Sequence, residues 1–235
     1  MPFLSEIALN PLRAQTQRLL ASPQRIHAAV MASVPSQSAA GRLLWRLEQR
    51  DHRADLLVLS PTRPSWEHLV EQAGWPGADG GEARIAAYEP LLALLMIGRR
   101  FAFRLTANPV RSTSKLEHPT LSQIEKIVDP GKARSPRVGH RTAQYQLDWL
   151  LKRCADDDHR WGFTVGSSAE PSVALVERRT LRFSKGAGQR PVTLDTATFQ
   201  GWLTVTDPDL MRRSLLEGIG SGKAYGCGLL TLARP

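Results

Sequence analysis

The residues best suited to chemistry on a phosphate lie near the end of the chain, in residues 218–228. Glycine occupies five of these eleven positions: Gly218, Gly220, Gly222, Gly226 and Gly228. Glycine tolerates a positive φ and lets the backbone come close to another chain. Lys223 carries the one charge of the segment. Backbone N–H groups beside a lysine are typical of a phosphate-binding loop, and the structural alternative is a tight turn packed on a sheet.

Two nucleotide-binding motifs fail in this segment. A P-loop reads G-x-x-x-x-G-K-[ST], but Glu217 stands at its first glycine and Ala224 follows the lysine. The dinucleotide fingerprint G-x-G-x-x-G fails because its third glycine would fall on Lys223 or Tyr225. Both motifs also open a helix, whereas residues 229–235 suffice only for one closing strand. We therefore predict a glycine loop between a helix and a last strand.

Histidine offers proton transfer near neutral pH, and the chain has six. They are His27, His52, His68, His118, His140 and His159. No metal-binding spacing such as H-x-E or H-E-x-x-H joins them, and no G-x-S-x-G marks a serine hydrolase. Residues 156–158 are three aspartates, which we interpret as a loop at a helix end. We expect neither a metal nor a cofactor. A single histidine near a helix start, such as His27, ordinarily has a structural role, and the residues alone do not indicate another.

Positive charge is concentrated in two runs, each free of carboxylates. The first, residues 130–147, includes Lys132, Arg134, Arg137 and Arg141. The second, residues 178–194, includes Arg178, Arg179, Arg182, Lys185 and Arg190. Residues 184–188 have the composition of a hairpin tip, and a basic two-stranded ribbon suits a nucleic-acid groove. The alternative for either run is a solvated charged face. Exchange of Arg178 and Arg179 for glutamate is expected to cost about 1–3 kcal/mol per lost base contact.

Composition limits the class of protein. A net charge of +9 favours a polyanionic partner, namely RNA, DNA or an acidic membrane. A hydrophobic content of 42% supports a packed core. Cys154 and Cys227 form no disulfide framework, the first residues lack a signal-peptide pattern, and the longest apolar run, residues 90–97, is shorter than the roughly 20 residues that span a bilayer. We expect a soluble, cytoplasmic protein without membrane association.

The predicted elements repeat one order. Residues 3–9 alternate as a strand, Ser22 and Pro23 begin a helix, and residues 43–47, 56–60, 66–73 and 83–88 follow as strand, strand, helix and strand. That order, βαββαβ, is ferredoxin-like. The second half follows it less regularly, with a strand at 100–107, a helix capped by Thr142, a strand at 199–206, a helix begun by Asp207 and Pro208, and a last strand that we expect inside the sheet. We predict an α+β fold of two tandem ferredoxin-like domains, residues 1–95 and 96–235.

The glycine segment, read together with residues 216–230, resembles the C-terminal signature of the CRISPR-associated repeat-RNA endoribonucleases, most closely the CasE subfamily of the type I-E system. Residues 41–48 are similar to the second strand of that subfamily, and the likeness extends from residue 3 to residue 233. It implies metal-independent cleavage at the 3′ base of a CRISPR repeat hairpin, by attack of the ribose 2′-OH to leave a 2′,3′-cyclic phosphate. It also implies that the product stem-loop is retained, and that repeat RNA and the other subunits of the Cascade complex are the partners.

Within the resemblance, residues 23–27 lie where the family carries its catalytic histidine, so His27 is the implied catalytic residue. The chain departs from the family pattern at Gln24, where relatives carry a tyrosine, and at Met31 and Ala32, where a lysine is missing. Gln24, Arg25 and Tyr225, with Lys223, are the candidates for catalytic support, and they are not ranked.

Two other functions remain open. One is a structural RNA-binding subunit without activity, to which Gln24 and the missing lysine point. The other is a general RNA or DNA binder unrelated to CRISPR.

Overall fold

A computed structural model of the protein describes residues 1–34, 41–50, 52–112, 137–155, 161–166, 172–184 and 191–233. The first half contains β1 (Phe3–Leu9), α1 (Ala14–Leu20), α2 (Pro23–Ala32), β2 (Leu44–Arg50), β3 (Arg53–Ser60), α3 (Glu67–Ala73), β4 (Arg84–Ala87) and α4 (Glu89–Leu92). The second half contains β5 (Arg100–Ala107), β6 (Val110–Ser112), β7 (Arg137–Gly139), α5 (Ala143–Cys154), β8 (Phe163–Thr164), β9 (Val173–Phe183), β10 (Val192–Val205), α6 (Pro208–Glu217), a 3₁₀ turn (Lys223–Tyr225) and β11 (Leu230–Ala233).

The first sheet has the strand order β2-β3-β1-β4, with antiparallel neighbours. Alternation in β1 buries Ile7 and Leu9 in the same hydrophobic cluster as Ile26 and Val30 of α2 and Leu69 of α3. The helices thus cover one face of this sheet. Strand order and helix placement are those of a ferredoxin-like domain.

The second sheet has the order β11-β5-β10-β8, and β9 also pairs with β10. Apart from the short β8, the strands of this sheet therefore repeat the ferredoxin-like order, as β11-β5-β10-β9, while β6 and β7 form a separate two-stranded sheet. The protein is an α+β fold of two tandem ferredoxin-like domains. The last strand was expected inside the sheet, which is wrong. β11 lies at the edge and pairs only with β5 within the described part of the chain, as the last strand of a ferredoxin-like order does.

Side-chain capping explains why some helices could be predicted from the sequence and another could not. Asp207 Oδ1 accepts hydrogen bonds of 2.9 Å from the N–H groups of Asp209 and Leu210, and Thr142 Oγ1 accepts one from Tyr145, so α6 and α5 begin where predicted. Helix α1 was not predicted, since its N-cap is Arg13, which makes no side-chain capping bond to any described residue. Tyr145, in the first turn of α5, is 59% exposed, although an aromatic side chain on a helix of this kind is ordinarily buried.

One hydrophobic cluster crosses from the first half to the second. It contains Leu44 and Leu59 of the first sheet together with Phe101, Phe103 and Leu230 of the second. The division near residue 95 stays a prediction, and Leu92 and Leu95 on the first side of it lie in this same cluster.

Among the described residues, no helix has both the length and the apolar character needed to cross a membrane.

Candidate nucleic-acid interface and catalytic site

The helix that carries His27 packs directly against the 3₁₀ turn of the glycine-rich segment. Pro23 is the first residue of α2, and its fixed φ suits a helix start. Ile26 and Val30 are buried and hold one side of the helix on the first sheet, which leaves His27 half-buried beside them. The tertiary structure therefore brings the predicted histidine and the predicted loop, about 200 residues apart in sequence, to one place.

The imidazole of His27 lies in a partly dry environment. Its Nδ1 atom is buried and has no hydrogen-bond partner among the described residues. Burial lowers the pKa of His27 below its ordinary value, because desolvation disfavours the charged form. The imidazole is therefore neutral at neutral pH and can accept a proton.

Gln24 and Arg25, which precede His27 on α2, differ in how they could assist it. Gln24 lies three residues before His27, which places the two on adjacent positions of the helix surface, and it is partly buried. Arg25 is exposed and donates a hydrogen bond of 3.1 Å from Nη1 to the carbonyl oxygen of Arg18 in α1. Its guanidinium is thus directed along the helical layer.

Two glycines bracket the 3₁₀ turn in the left-handed region, Gly222 with φ 78° and Gly226 with φ 81°. A Cβ at Gly226 would lie 2.8 Å from Trp45 Cζ3, and one at Gly218 would lie 2.7 Å from Leu44 Cδ2. These glycines thus let the segment pack tightly on β2. The alternative interpretation, a turn packed on a sheet, describes this part of the segment better than a phosphate cradle does. Gly220 is the exposed glycine among the five.

Lys223 is held by the end of the preceding helix. Its Nζ donates a hydrogen bond of 2.7 Å to the carbonyl oxygen of Glu217, the last residue of α6. Burial, with a smaller contribution from Arg42, lowers the pKa of Lys223. An ammonium group has three donors, so this contact leaves capacity for a phosphate oxygen.

Tyr225 connects the 3₁₀ turn to the long β9–β10 hairpin. Its ring centroid lies 4.8 Å from that of Phe183, the last residue of β9, with the rings inclined at 58°. Such a tilted pair is a favourable aromatic geometry. The contact orients the hairpin relative to the histidine-bearing helix.

A cavity of about 230 Å³ lies between the two halves. Its lining includes Pro23 and Ile26 of α2, Trp45 and Gln49 of β2, Arg179 and Arg182 of β9, Thr106 of β5, Thr198 of β10, and Tyr225. We refer to it as the interdomain cleft. Helix α2, the 3₁₀ turn and the basic hairpin thus meet around one cleft.

The hairpin arginines have partners that the sequence did not reveal. Arg178 donates from Nε to Gln146 Oε1 at 2.9 Å and from Nη2 to the carbonyl oxygen of Arg141. Arg179 donates to Gln49 Oε1 at 2.7 Å and pairs with Glu177 at 2.6 Å. Both guanidiniums are therefore partly committed to contacts within the protein.

Carboxylates flank the run that was described as free of them. Asp195 accepts a hydrogen bond of 2.7 Å from Thr180 and lies 3.7 Å from Arg141, while Glu177 pairs with Arg179. Strand pairing brings them there, since Asp195 lies opposite Thr180 across the hairpin. Arg182, by contrast, is exposed and lines the cleft, which makes it the clearest RNA-binding candidate of the run.

Several predicted residues cannot be placed. Arg137 contributes its backbone to β7. Arg134, Lys185 and Arg190 lie outside the described residues, as do the aspartates at 156–158. Among the described residues, no group of three or more His, Cys, Asp or Glu side chains could hold a metal ion.

Sequence reasoning missed Arg46 as a structural residue. It is 3% exposed and donates to Glu48 at 2.7 Å, to the carbonyl oxygens of Arg104 and Leu229 at 3.0 and 3.1 Å, and to Thr231 Oγ1 at 2.8 Å. It therefore joins β2 to β5 and to the end of the glycine segment. Its one sequence signal is a single charge within the otherwise apolar run of residues 43–47.

Comparison with characterised proteins agrees with this geometry. The chain is 29% identical over 240 residues to the CRISPR-associated endoribonuclease Cse3 of Thermus thermophilus, with 98% of this chain and 99% of the relative covered. It is 26% identical to the CRISPR system Cascade subunit CasE of Escherichia coli, with 81% and 88% covered. The structure of Thermus thermophilus Cse3 bound to an RNA representing a pre-cleavage complex superposes with a TM-score of 0.71 at 27% identity, covering 99% of this chain and 98% of that one.

A family model described as CRISPR associated protein matches residues 2–234. That match spans both sheets, the helix with His27 and the whole glycine-rich segment. The chain belongs to this family of CRISPR-associated proteins.

Proposed function

We propose that the protein is an endoribonuclease that cleaves CRISPR precursor RNA at the 3′ base of the repeat hairpin and then keeps the stem-loop as a subunit of the Cascade complex. The observation that carries the proposal is the packing of α2, with a neutral, half-buried His27, against the 3₁₀ turn beside a basic cleft. The relatives named endoribonuclease and Cascade subunit support the activity and the assembly.

In the proposed reaction the 2′-oxygen of a ribose attacks the adjacent phosphorus. His27 accepts the 2′-OH proton, the bond from phosphorus to the 5′-oxygen breaks, and a proton is delivered to that oxygen. The products are a 2′,3′-cyclic phosphate and a 5′-OH. A base, an acid and donors for the developing charge are the requirements of such a step.

The supporting residues would act around this imidazole. Tyr225 lines the cleft and carries a phenol that could donate to an oxygen of the reacting phosphate, and Lys223 and Arg182 supply positive charge. Gln24 cannot take up a proton but can donate a hydrogen bond to the RNA. No metal has a role in this proposal.

A cytoplasmic location is part of the proposal. The free, buried thiols of Cys154 and Cys227 support it, since a reducing compartment leaves cysteines unpaired.

The test is incubation of a cognate repeat hairpin with the protein in EDTA. We expect cleavage to continue in EDTA and to be lost in His27→Ala, while that variant still binds the hairpin. Cleavage that stops with the chelator and returns with a divalent metal would contradict the metal-independent mechanism. Retained cleavage in His27→Ala would remove the histidine from it.

A second function is favoured by specific observations. Gln24 cannot transfer a proton, Arg25 is hydrogen-bonded to α1, and Lys223 donates to Glu217. Each of these three groups is therefore limited in the help it can give His27 in a proton-transfer reaction. A structural RNA-binding subunit without activity would bind the repeat hairpin and leave it uncut under every condition. Equal affinity for a scrambled hairpin would indicate a general nucleic-acid binder instead.

A further inference from the structure

The second sheet has an open face that carries an exposed tryptophan. In β5, Phe101, Phe103 and Leu105 are buried, so the alternate residues point to the opposite side of the sheet. On β10 the neighbouring Leu203 is buried at 1%, whereas Trp202 is 39% exposed. A large aromatic ring thus lies on a face that the helices do not cover.

Small side chains occupy the strand positions next to this ring. Trp202 is in register with Ala102 of β5, and Ala102 is in register with Ala233 of the edge strand β11. Two alanines in succession leave a flat surface next to the indole. A planar group beside the indole would meet only these short side chains on β5 and β11.

The charge of the face suits a polyanion. Arg100 holds its guanidinium over one face of the Trp202 ring, with the guanidinium carbon 5.8 Å from the ring centre, so a stacked base would use the other face or displace this side chain. Arg104 lies two strand positions from Ala102 on the same face, where it contacts Gln200 at 2.7 Å and lies 3.4 Å from Glu48. Neither β5, nor β11, nor residues 198–205 of β10 contain an aspartate or glutamate.

The face continues directly from the interdomain cleft. Thr106 and Thr198 line the cleft, and their hydroxyl oxygens lie 2.9 Å apart on this same side of the sheet. From Thr106 to Ala102 is four residues of β5, or about 13 Å. A strand of RNA that leaves the cleft can therefore reach the indole by following the sheet.

We propose that this face, which we call the Trp202 platform, binds a single-stranded segment of RNA adjoining the hairpin, with one base stacked on the indole and Arg100 and Arg104 near its phosphates. The proposal rests on the proposed function, because it extends the same RNA beyond the cleft. Aromatic side chains and arginines along a groove are the usual means of holding single-stranded RNA without sequence preference.

The experiment compares labelled RNAs by fluorescence anisotropy with the full-length protein. One RNA is the repeat hairpin alone, and two others carry a single-stranded extension of about eight nucleotides at the 5′ or the 3′ end. The variants are Trp202→Ala, Trp202→Phe and Arg100→Gln. Leu12→Ala is the matched control, since Leu12 is an apolar side chain 84% exposed on the first half. All binding is measured in the His27→Ala background to prevent cleavage.

We expect Trp202→Ala to weaken binding of one extended hairpin by about tenfold to a hundredfold, in proportion to a lost base stack, and to leave the hairpin alone unaffected. Trp202→Phe should retain most of the affinity, because a phenyl ring still stacks. Arg100→Gln should weaken the same RNA and flatten its salt dependence. Leu12→Ala should change nothing.

Unchanged affinity for both extended RNAs in Trp202→Ala and Arg100→Gln would overturn the proposal, and the face would then be available to a protein partner. Equal weakening for all three RNAs would also overturn it, since Trp202 would then support the fold or the hairpin site. If the hairpin alone does not bind, the proposed function fails separately. The platform is then tested by an unstructured RNA of about eight nucleotides, whose binding should still depend on Trp202.

Discussion

Burial gives His27 a property that its position in the sequence does not indicate. A histidine in water is close to half protonated near its pKa, but partial desolvation shifts this one toward the neutral form. The neutral imidazole is a base. Of the two proton-transfer roles open to it, the environment therefore favours the acceptance of the 2′-OH proton.

The pH dependence of cleavage follows from that shift. The rate should fall as the pH drops through the lowered pKa of His27, because protonation removes the base, and it should be flat above the ordinary value of 6.5. Single-turnover rates between about pH 5 and about pH 8 measure this profile. A rate that declines as the pH rises over the same range would instead make His27 the acid. Hairpin affinity, measured at each pH, is the control for loss of binding.

Among the structural elements, the glycine-rich segment packs between the two halves of the protein as well as contributing to the candidate RNA site. Its 3₁₀ turn is held from two sides, by Trp45 of β2 and by Phe183 of the hairpin. The geometry of the cleft therefore depends on residues whose side chains need not touch RNA.

Replacement of Gly226 by alanine should destabilise the protein by about 2–5 kcal/mol, from a positive φ and a collision with the Trp45 ring. Gly98→Ala is the matched control, since Gly98 has φ +80° and no atom within 4 Å of an added Cβ. It should cost only about 1–2 kcal/mol. Urea unfolding of both variants measures the difference. Equal losses of unfolding free energy in the two variants would show that the collision with the Trp45 ring contributes nothing.

The basic hairpin offers one arginine for a clean test of RNA binding. Arg182→Glu should weaken binding of the repeat hairpin by about 1–3 kcal/mol or more and leave thermal stability unchanged, because Arg182 is exposed. Arg178 and Arg179 are poorer choices, since glutamate there would also break their bonds to Gln146 and Gln49.

The control for Arg182 is Arg84→Glu, at the edge of the first sheet away from the second half. It changes the net charge equally and should lower affinity far less. If the two variants weaken binding to the same extent, general electrostatics and not the hairpin would account for the effect.

At the scale of the whole molecule, the two sheets share buried contacts. Arg46 bonds to the backbone of β5 and of the glycine segment, and a common hydrophobic cluster includes Leu44 and Phe101. We therefore expect the halves to unfold together.

Arg46→Met should destabilise the protein by about 3–5 kcal/mol, because it removes the donor to the buried carbonyl oxygens of Arg104 and Leu229 and leaves Glu48 only its longer contact with Arg104. Arg84→Met is the matched control, since that ion pair spans 3.6 Å and Arg84 is 71% exposed, and should cost about 1 kcal/mol or less. Unfolding is followed with one probe in each half. Two separate transitions in the parent protein would contradict a shared core.

The fold class could be predicted from local signals, namely period-2 alternation and the caps at Thr142 and Asp207, because the backbone follows them. The likeness in residues 23–27 and 216–230 also indicated the two segments that would form the site, namely the helix with His27 and the glycine-rich segment. The sequence did not reveal α1, whose N-cap Arg13 makes no side-chain capping bond within the described part of the chain, or the exposure of Tyr145.

Contacts between residues far apart in the chain could be recognised only in the folded protein. Pairing across the β9–β10 hairpin placed Asp195 beside the basic run, pairing with β5 put β11 at the edge of its sheet, and burial lowered the pKa of His27. The physical reason is that register, burial and long-range hydrogen bonds depend on the position of the whole chain in space. Spacing along the sequence carries no record of them.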